Sequence, residues 1–179
     1  MKLSVVGCPD KKLFLPYVKR AARFYAQSLF KPRALENLIL KIKFNKKIDA
    51  YGYASVTEFS PSNKPRQFEI ELHPGIGAYD ILKTLAHEMV HVRQYIQGDV
   101  NIRLTRWKGT AVADVDYWDQ PWEIEAHGYE SGLFTKFARE EKLWNVFKGV
   151  SNPDAPIEPE PLGRSEEHTS ELQSRETIS

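Results

Sequence analysis

Hydrophobic and polar positions change period along this chain, and each change marks an element. In "LPYVKRAARFYAQSLF" (residues 15–30), Tyr17, Ala21, Phe24 and Leu29 fall near helical spacing, with Lys19, Arg20 and Arg23 turned elsewhere. Pro16 suits a first turn, so the pattern predicts a helix that ends before Pro32. The period then shortens to two. In "LENLILKIKF", Leu38, Leu40, Ile42 and Phe44 share one face while Lys41 and Lys43 take the other, which predicts a half-buried strand. "DAYGYASVTEF" is β-branched and aromatic, "SPSNKP" reads as a hairpin turn, and "QFEIEL" sets Phe68, Ile70 and Leu72 against Glu69 and Glu71. "HPGIG" ends that strand.

Helical spacing returns from Tyr79 to about Gln97, with Ile81, Leu82, Leu85, Met89 and Val92 apolar and Gly98 as a stop. Residues 99–116 fit either a short strand around "IRLTRW" or a loop crossing the neighbouring surface. Asp119 and Pro121 then open a further helix through "WEIEAHGYESGLFTKFAREEKL". The order of elements predicts an α+β domain over residues 1–150: an N-terminal helix, a small antiparallel or mixed sheet, and two later helices.

Composition adds limits. A chain of 179 residues with 41% hydrophobic and 27% charged positions suits one soluble domain. No apolar run approaches the roughly eighteen residues of a membrane helix, so no membrane partner is expected. The start, "MKLSVVGCPDKK", is too short for a secretory signal. Cys8 is the single cysteine, which leaves neither an internal disulfide nor a cysteine-rich zinc ribbon. A cytoplasmic setting follows, in a bacterium or a phage-infected cell. Residues 151–163, "SNPDAPIEPEPLG", are Pro-rich and acidic and predict disorder. Residues 164–179 match the translation of a sequencing-adaptor oligonucleotide, as if a metagenomic reading frame had run into adaptor. That segment, His168 included, is excluded from fold reasoning.

Charge is uneven. Residues 1–50 hold twelve Lys/Arg and three Asp/Glu, and residues 51–163 hold eleven and seventeen. A basic face can attract a phosphate backbone; the ordinary reading is a solvated helix and strand face.

The stretch "TLAHEMVHVRQY" carries the chemistry. His-Glu-x-x-His on a helix sets His87 and His91 one turn apart, about 5–6 Å between Cβ atoms, where both can reach one zinc ion. Glu88, beside the first ligand, can take a proton from water activated by the metal without binding the metal itself. Two incidental histidines would be the plain alternative. Against it stand the mid-helix position, the alternating strand and glycine turn before it, and an acidic helix about thirty residues later.

Geometry points to a third ligand. With Glu123 at the origin and about 100° per residue, Ala126, His127, Glu130, Leu133, Phe134 and Phe137 fall on its side of the later helix, and Glu125 falls opposite. A carboxylate on an apolar stripe needs a partner, and a metal is a good one. Glu123 is therefore the expected third ligand. His127, one turn on, could orient a ligand or replace Glu123.

"LAHEMVHVRQY" followed by "PWEIEAH" resembles gluzincin-type metallopeptidases, in which a second helix supplies a glutamate followed three residues later by alanine. Glu123 and Ala126 match that spacing, and His127 stands where an aspartate is usual. The strand leading into "HEMVH" also resembles SprT-like proteins, most closely small phage-encoded ones. The likeness covers about residues 36–137. It implies a zincin-like fold, bound Zn2+, a protein or peptide substrate, and Glu88 as base. The chain departs from SprT and Spartan proteins in lacking a third histidine ligand and a cysteine ribbon.

Other candidates are open. Tyr117, Tyr95, His127 or Arg93 could donate to a developing oxyanion. Trp107, Trp118 and Trp122 could wall a substrate cleft or belong to the core. His73 reads as a turn residue, and "QFEIEL" is either the edge strand that would hold an extended peptide or an ordinary sheet strand. The rivals to a zinc peptidase are a SprT-like DNA-associated protease and a metal-stabilised phage structural or interaction protein without turnover.

Overall fold

Alternation builds the sheet. In β2 (Ile39–Phe44), Leu40, Ile42 and Phe44 are buried, and in β4 (Pro65–Leu72), Phe68, Ile70 and Leu72 are buried on the same side. The opposite faces pair their charges across the register: Lys41 meets Glu69 at 2.8 Å and Lys43 meets Glu71 at 2.8 Å. Such half-exposed pairs add little stability each, but they fix register and neutralise part of the basic N-terminal region. The structure, a computed structural model, describes residues 1–59, 64–112 and 114–155.

The full sheet runs β1-β2-β4-β3. β1 (Lys2–Val6) is parallel to β2, β2 is parallel to β4, and β3 (Gly52–Phe59) is antiparallel to β4. The sheet is thus mixed. The opening "KLSVV", given no element from the sequence, is a strand, and of the two readings left open for "QFEIEL" the ordinary sheet strand holds, an inner one, because β1 and β2 cover one side of it. The edge beside the helices' polar site is β3. Residues 60–63 of the expected hairpin turn lie outside the described residues.

Helices cover one face. α1 (Phe14–Leu29) buries Val18, Ala21, Ala22, Tyr25 and Ala26, a stripe shifted from the expected one. Tyr17 and Phe24 sit at its rim, against Phe147 and Phe137. A short α2 (Pro32–Glu36), which the sequence reading lacked, leads into β2. α3 (Ala78–Gln97) lies between the sheet, α1 and α4 (Pro121–Glu141). Its Leu82, Leu85 and Met89 are fully buried, each burial contributing about 1.5–3 kcal/mol. Tyr25 donates to the Leu82 carbonyl at 3.2 Å and pins α1 onto it. Gly98 ends α3 at φ 77°, the left-handed cap that favours glycine.

Residues 99–112 form a loop with a small hairpin, β5 (Arg106–Trp107) against β6 (Thr110–Ala111). Asp119 is not the cap of α4. It lies in a 3₁₀ turn, Gln120 takes the cap position, and Pro121 fills the first turn. That helix ends at Glu141, two residues before the expected Leu143, at a left-handed Lys142. The domain is therefore mixed α+β, with four α-helices among the described residues. No helix among those residues is long and apolar enough to cross a membrane. In 151–155, Asp154 pairs with Arg139 at 3.0 Å; the rest of the 151–163 segment and all of 164–179 lie outside the described residues.

Candidate metal centre

α3 and α4 bring three ligand-type side chains to one point. His87 Nε2 lies 3.0 Å from His91 Nε2 and 3.2 Å from Glu123 Oε2, and His91 Nε2 lies 3.5 Å from Glu123 Oε1. A tetrahedral ion with Zn–N bonds of about 2.0–2.1 Å spaces its ligand atoms roughly 3.3–3.4 Å apart. The three donors fit that separation. His87 and Glu123 are buried and His91 nearly so.

The far ring nitrogens are held as a metal site requires. His87 Nδ1 donates to Glu130 Oε2 at 2.8 Å, and His91 Nδ1 donates to Gln94 Oε1 at 2.8 Å. Glu130, when ionised, can only accept, so Nδ1 of His87 carries the hydrogen and Nε2 is aimed at the centre. Gln94 is fully buried; its Nε2 donates to the Trp122 carbonyl at 2.9 Å and to Glu125 at 3.0 Å, which sets its amide orientation. Neither Glu130 nor Gln94 was assigned a role from the sequence. Their signals were positional: Gln94 is three residues after His91, and Glu130 shares the Glu123 stripe.

Electrostatics agree. Burial disfavours a charged His87, yet the bonds to Glu123 and Glu130 outweigh it and raise its pKa to about 9. Burial also pushes Glu123 and Glu130 upward, but the imidazoles reverse this; Glu123 falls well below the carboxylate range and Glu130, with Lys83 also bonded, falls to about 2. Without an ion, then, this cluster stores protons on its histidines where a dication would supply positive charge.

Glu88 stands apart from the ligand set. It is buried, and burial raises its pKa against the opposing pull of His91 and His87 and a backbone hydrogen bond from Ala54. Its slot exists because β3 passes close. A Cβ built on Gly52 would meet Thr84 Cγ2 at 2.7 Å and Glu88 Oε1 at 3.1 Å. A strand with a side chain there could not approach α3 so nearly.

Two openings flank the cluster and share Gly52, His87, Glu88 and Tyr117. One, of about 390 Å³, extends toward Tyr51, Lys83, Trp118 and Glu130; the other, of about 440 Å³, extends toward Tyr53, Tyr95, Leu104 and Trp122. Both run along β3.

The remaining predicted residues separate clearly. Tyr117 is at the centre, its hydroxyl 3.3 Å from His127 Nε2, and burial together with neighbouring Glu123 pushes its pKa up. His127 lies outside the His87, His91 and Glu123 group. Its Nδ1 lies 3.3 Å from Glu130 Oε2, and Trp118 stacks on its ring at 4.9 Å. His87, His127 and Glu130 form a second group close enough for an ion, but Lys83 Nζ already sits 3.2 Å from Glu130, and an ammonium there opposes another cation. Arg93 leaves the oxyanion candidates, since it pairs with Glu125 at 2.7 Å and lies over the Tyr129 ring. Glu125 is away from the ion position as expected, yet it reaches α3 rather than solvent. Trp122 is buried and lines one opening, Trp118 is exposed at the other, and Trp107 lines neither. His73 accepts from the Gly75 N–H at 3.0 Å, a turn contact.

No family model, curated protein or solved structure matches this chain.

Proposed function

We propose that the protein is a zincin-like, zinc-dependent peptidase. The observation that carries this reading is the convergence of His87, His91 and Glu123, with both far ring nitrogens braced, beside a buried Glu88 that takes no part in the ligand set. Zinc, when bound, supplies Lewis acidity that polarises a carbonyl and makes water a nucleophile near neutral pH. The chain's own residues do the rest. Glu88 accepts the proton of the attacking water and can return it to the leaving amine; its raised pKa brings it closer to the working pH of a general base. Tyr117, kept in its neutral phenol form, can donate to the oxygen that gains charge, with His127 against its hydroxyl. The free edge of β3 can hold an extended peptide by main-chain hydrogen bonds.

A DNA-associated role has less support. Lys41 and Lys43, central to the basic region, are occupied by Glu69 and Glu71. A purely structural metal site leaves the buried Glu88 and the two openings without a use.

The test is a set of three proteins. The wild type should carry about one zinc and cleave casein. Glu88→Gln should keep zinc and lose about 10²–10⁴-fold in rate. Glu123→Ala should lose stoichiometric zinc together with activity. A Glu88→Gln protein that cleaves as fast as wild type would reject the mechanism, and a zinc-replete Glu123→Ala would reject the ligand set.

A further inference from the structure

The two openings beside the metal centre continue into a third. Tyr95 lines the 440 Å³ opening and also a hollow of about 570 Å³ whose other walls include Phe59, Ile102, Arg103 and Arg106. The three lie in series as one interrupted groove between Ala50 and Phe59, lined by β3 at Gly52, Tyr53 and Ala54 and again at Phe59. At about 3.3 Å per residue the strand gives a track of roughly 30 Å, enough for eight or nine residues of extended chain.

Its lining is unusual for a solvent surface. Of the eleven large hydrophobic side chains exposed among the described residues, seven line this groove. Trp118 is 69% exposed yet held by its stack on His127 and its edge contact with Tyr117. It is a fixed aromatic platform at the end nearer Lys83. Apolar side chains gathered on one rim mark a binding surface.

The far end differs in charge. Arg103 and Arg106 are exposed, and no described residue forms an ion pair with either. Among the described residues Asp99 is the one acidic residue lining that hollow, against the two arginines. The loop that carries them is preformed. Asn101 Oδ1 accepts from the backbone of Thr105 at 2.8 Å and Arg106 at 3.0 Å, its Nδ2 donates to Thr105 Oγ1 at 2.9 Å, and Leu104 is held at φ 52°. A non-glycine residue in the left-handed region is retained where surrounding bonds over-determine it. Prior ordering lowers the entropy cost of binding.

We infer that the groove selects an extended polypeptide segment with an aromatic or large apolar side chain near the scissile bond, seated against Trp118, and acidic side chains at the opposite end, seated against Arg103 and Arg106. The inference deepens the peptidase reading and rests on it for the position of the cut. The selectivity can be read by binding alone.

The experiment uses zinc-loaded Glu88→Gln protein and fluorescein-labelled decapeptides with one Phe at one end and two Glu at the other, in both sequence orders. Matched peptides carry Lys for Glu or Ser for Phe. Fluorescence anisotropy should show one Phe/Glu order binding about 10-fold tighter than its Lys counterpart, an advantage that shrinks with added salt. Arg103→Glu/Arg106→Glu should reverse the preference, and Trp118→Ala should remove the advantage of Phe over Ser. Both sites are exposed, so folding should be intact by circular dichroism. Equal binding of all peptides, or a preference that the charge reversal leaves unmoved, overturns the inference. So does a charge reversal that weakens a single-stranded oligonucleotide but not the acidic peptide, which would assign the arginines to nucleic acid. Wild-type protein that cleaves every peptide equally would sink the selectivity and leave the peptidase standing. Selective binding without any cleavage would do the opposite.

Discussion

The two histidines of the candidate centre are braced by different means. His87 leans on a charged, partly accessible carboxylate from the other helix, Glu130, which also holds Lys83 and His127. His91 leans on a neutral amide from its own helix, Gln94, which is fully buried and bonded to the Trp122 carbonyl at the start of α4. The first brace is electrostatic and open to water. The second is part of the packing between α3 and α4. A carboxylate raises the basicity of its imidazole and can be replaced in part by water; a buried amide sets the angle between helices and cannot.

Removing each brace should separate these roles, and this is the largest expected effect. Both Gln94→Ala and Glu130→Ala should weaken zinc binding by about 10–100-fold. Only Gln94→Ala should also cost about 1–3 kcal/mol of stability, because it leaves His91 Nδ1 without its partner inside the protein and removes a fully buried side chain from between α3 and α4. Competition with a chromophoric chelator measures the first quantity and urea unfolding the second. Equal stability losses in the two variants would erase the distinction.

The charged brace also predicts a pH dependence that the neutral one does not. In the metal-free protein the pKa of His87 stands at about 9 against an ordinary 6.5. A group raised on folding contributes stability that is complete below about 6.5 and is lost as pH rises through about 9. Glu130, lowered from 4.5 to about 2, contributes above about 4.5 and loses its contribution as pH falls toward 2. Metal-free protein should therefore be most stable between about pH 4.5 and 6.5. Zinc needs the histidines deprotonated, so the rise in Tm on adding zinc should grow from pH 6.5 to 9. Thermal scans with chelator or zinc across this range check both trends. In Glu130→Gln the alkaline decline of the metal-free protein should still begin near pH 6.5 but be smaller and end at lower pH, since one of the two carboxylates holding the His87 proton is gone.

The contrast explains what the sequence disclosed and what it hid. His87, Glu88, His91 and Glu123 were legible because helical spacing alone puts them on facing stripes. Gln94 and Glu130 lie on those same stripes, but a polar residue on a helix reads first as solvated, and only packing shows what it touches. β1 was hidden for another reason. Its parallel partner is more than thirty residues away with no hairpin turn between them, and "KLSVV" is too short to speak for itself. The groove-lining role of β3 depended on that missing strand, since without β1 the sheet's edges were unassigned. In α1, Ala21 of the expected stripe is fully buried, but aromatic residues drew that stripe toward Tyr17 and Phe24, whereas small Ala22 and Ala26 are the ones buried beside Ala21.

Glu125 gives the smallest effect on zinc and sharpens the comparison most finely. It touches no ligand; it accepts from Gln94 Nε2 at 3.0 Å, pairs with Arg93 at 2.7 Å and lies 3.4 Å from Lys108. Gln94 keeps its bond to the Trp122 carbonyl without it, so the amide should stay oriented toward His91. Glu125→Ala should therefore hold about one zinc, with affinity reduced only a few-fold, below the roughly 10–100-fold of a change to a residue that touches a ligand. Stability is another matter. The Arg93 guanidinium is largely buried, and its Nε has no partner even in the intact protein. Loss of Glu125 leaves that charge with Tyr129 alone, at a cost of about 1–3 kcal/mol. The expected result is a less stable protein with nearly normal zinc. A Glu125→Ala protein that loses zinc as Gln94→Ala does would mean that the amide is oriented by the carboxylate, and that the brace on His91 is electrostatic after all.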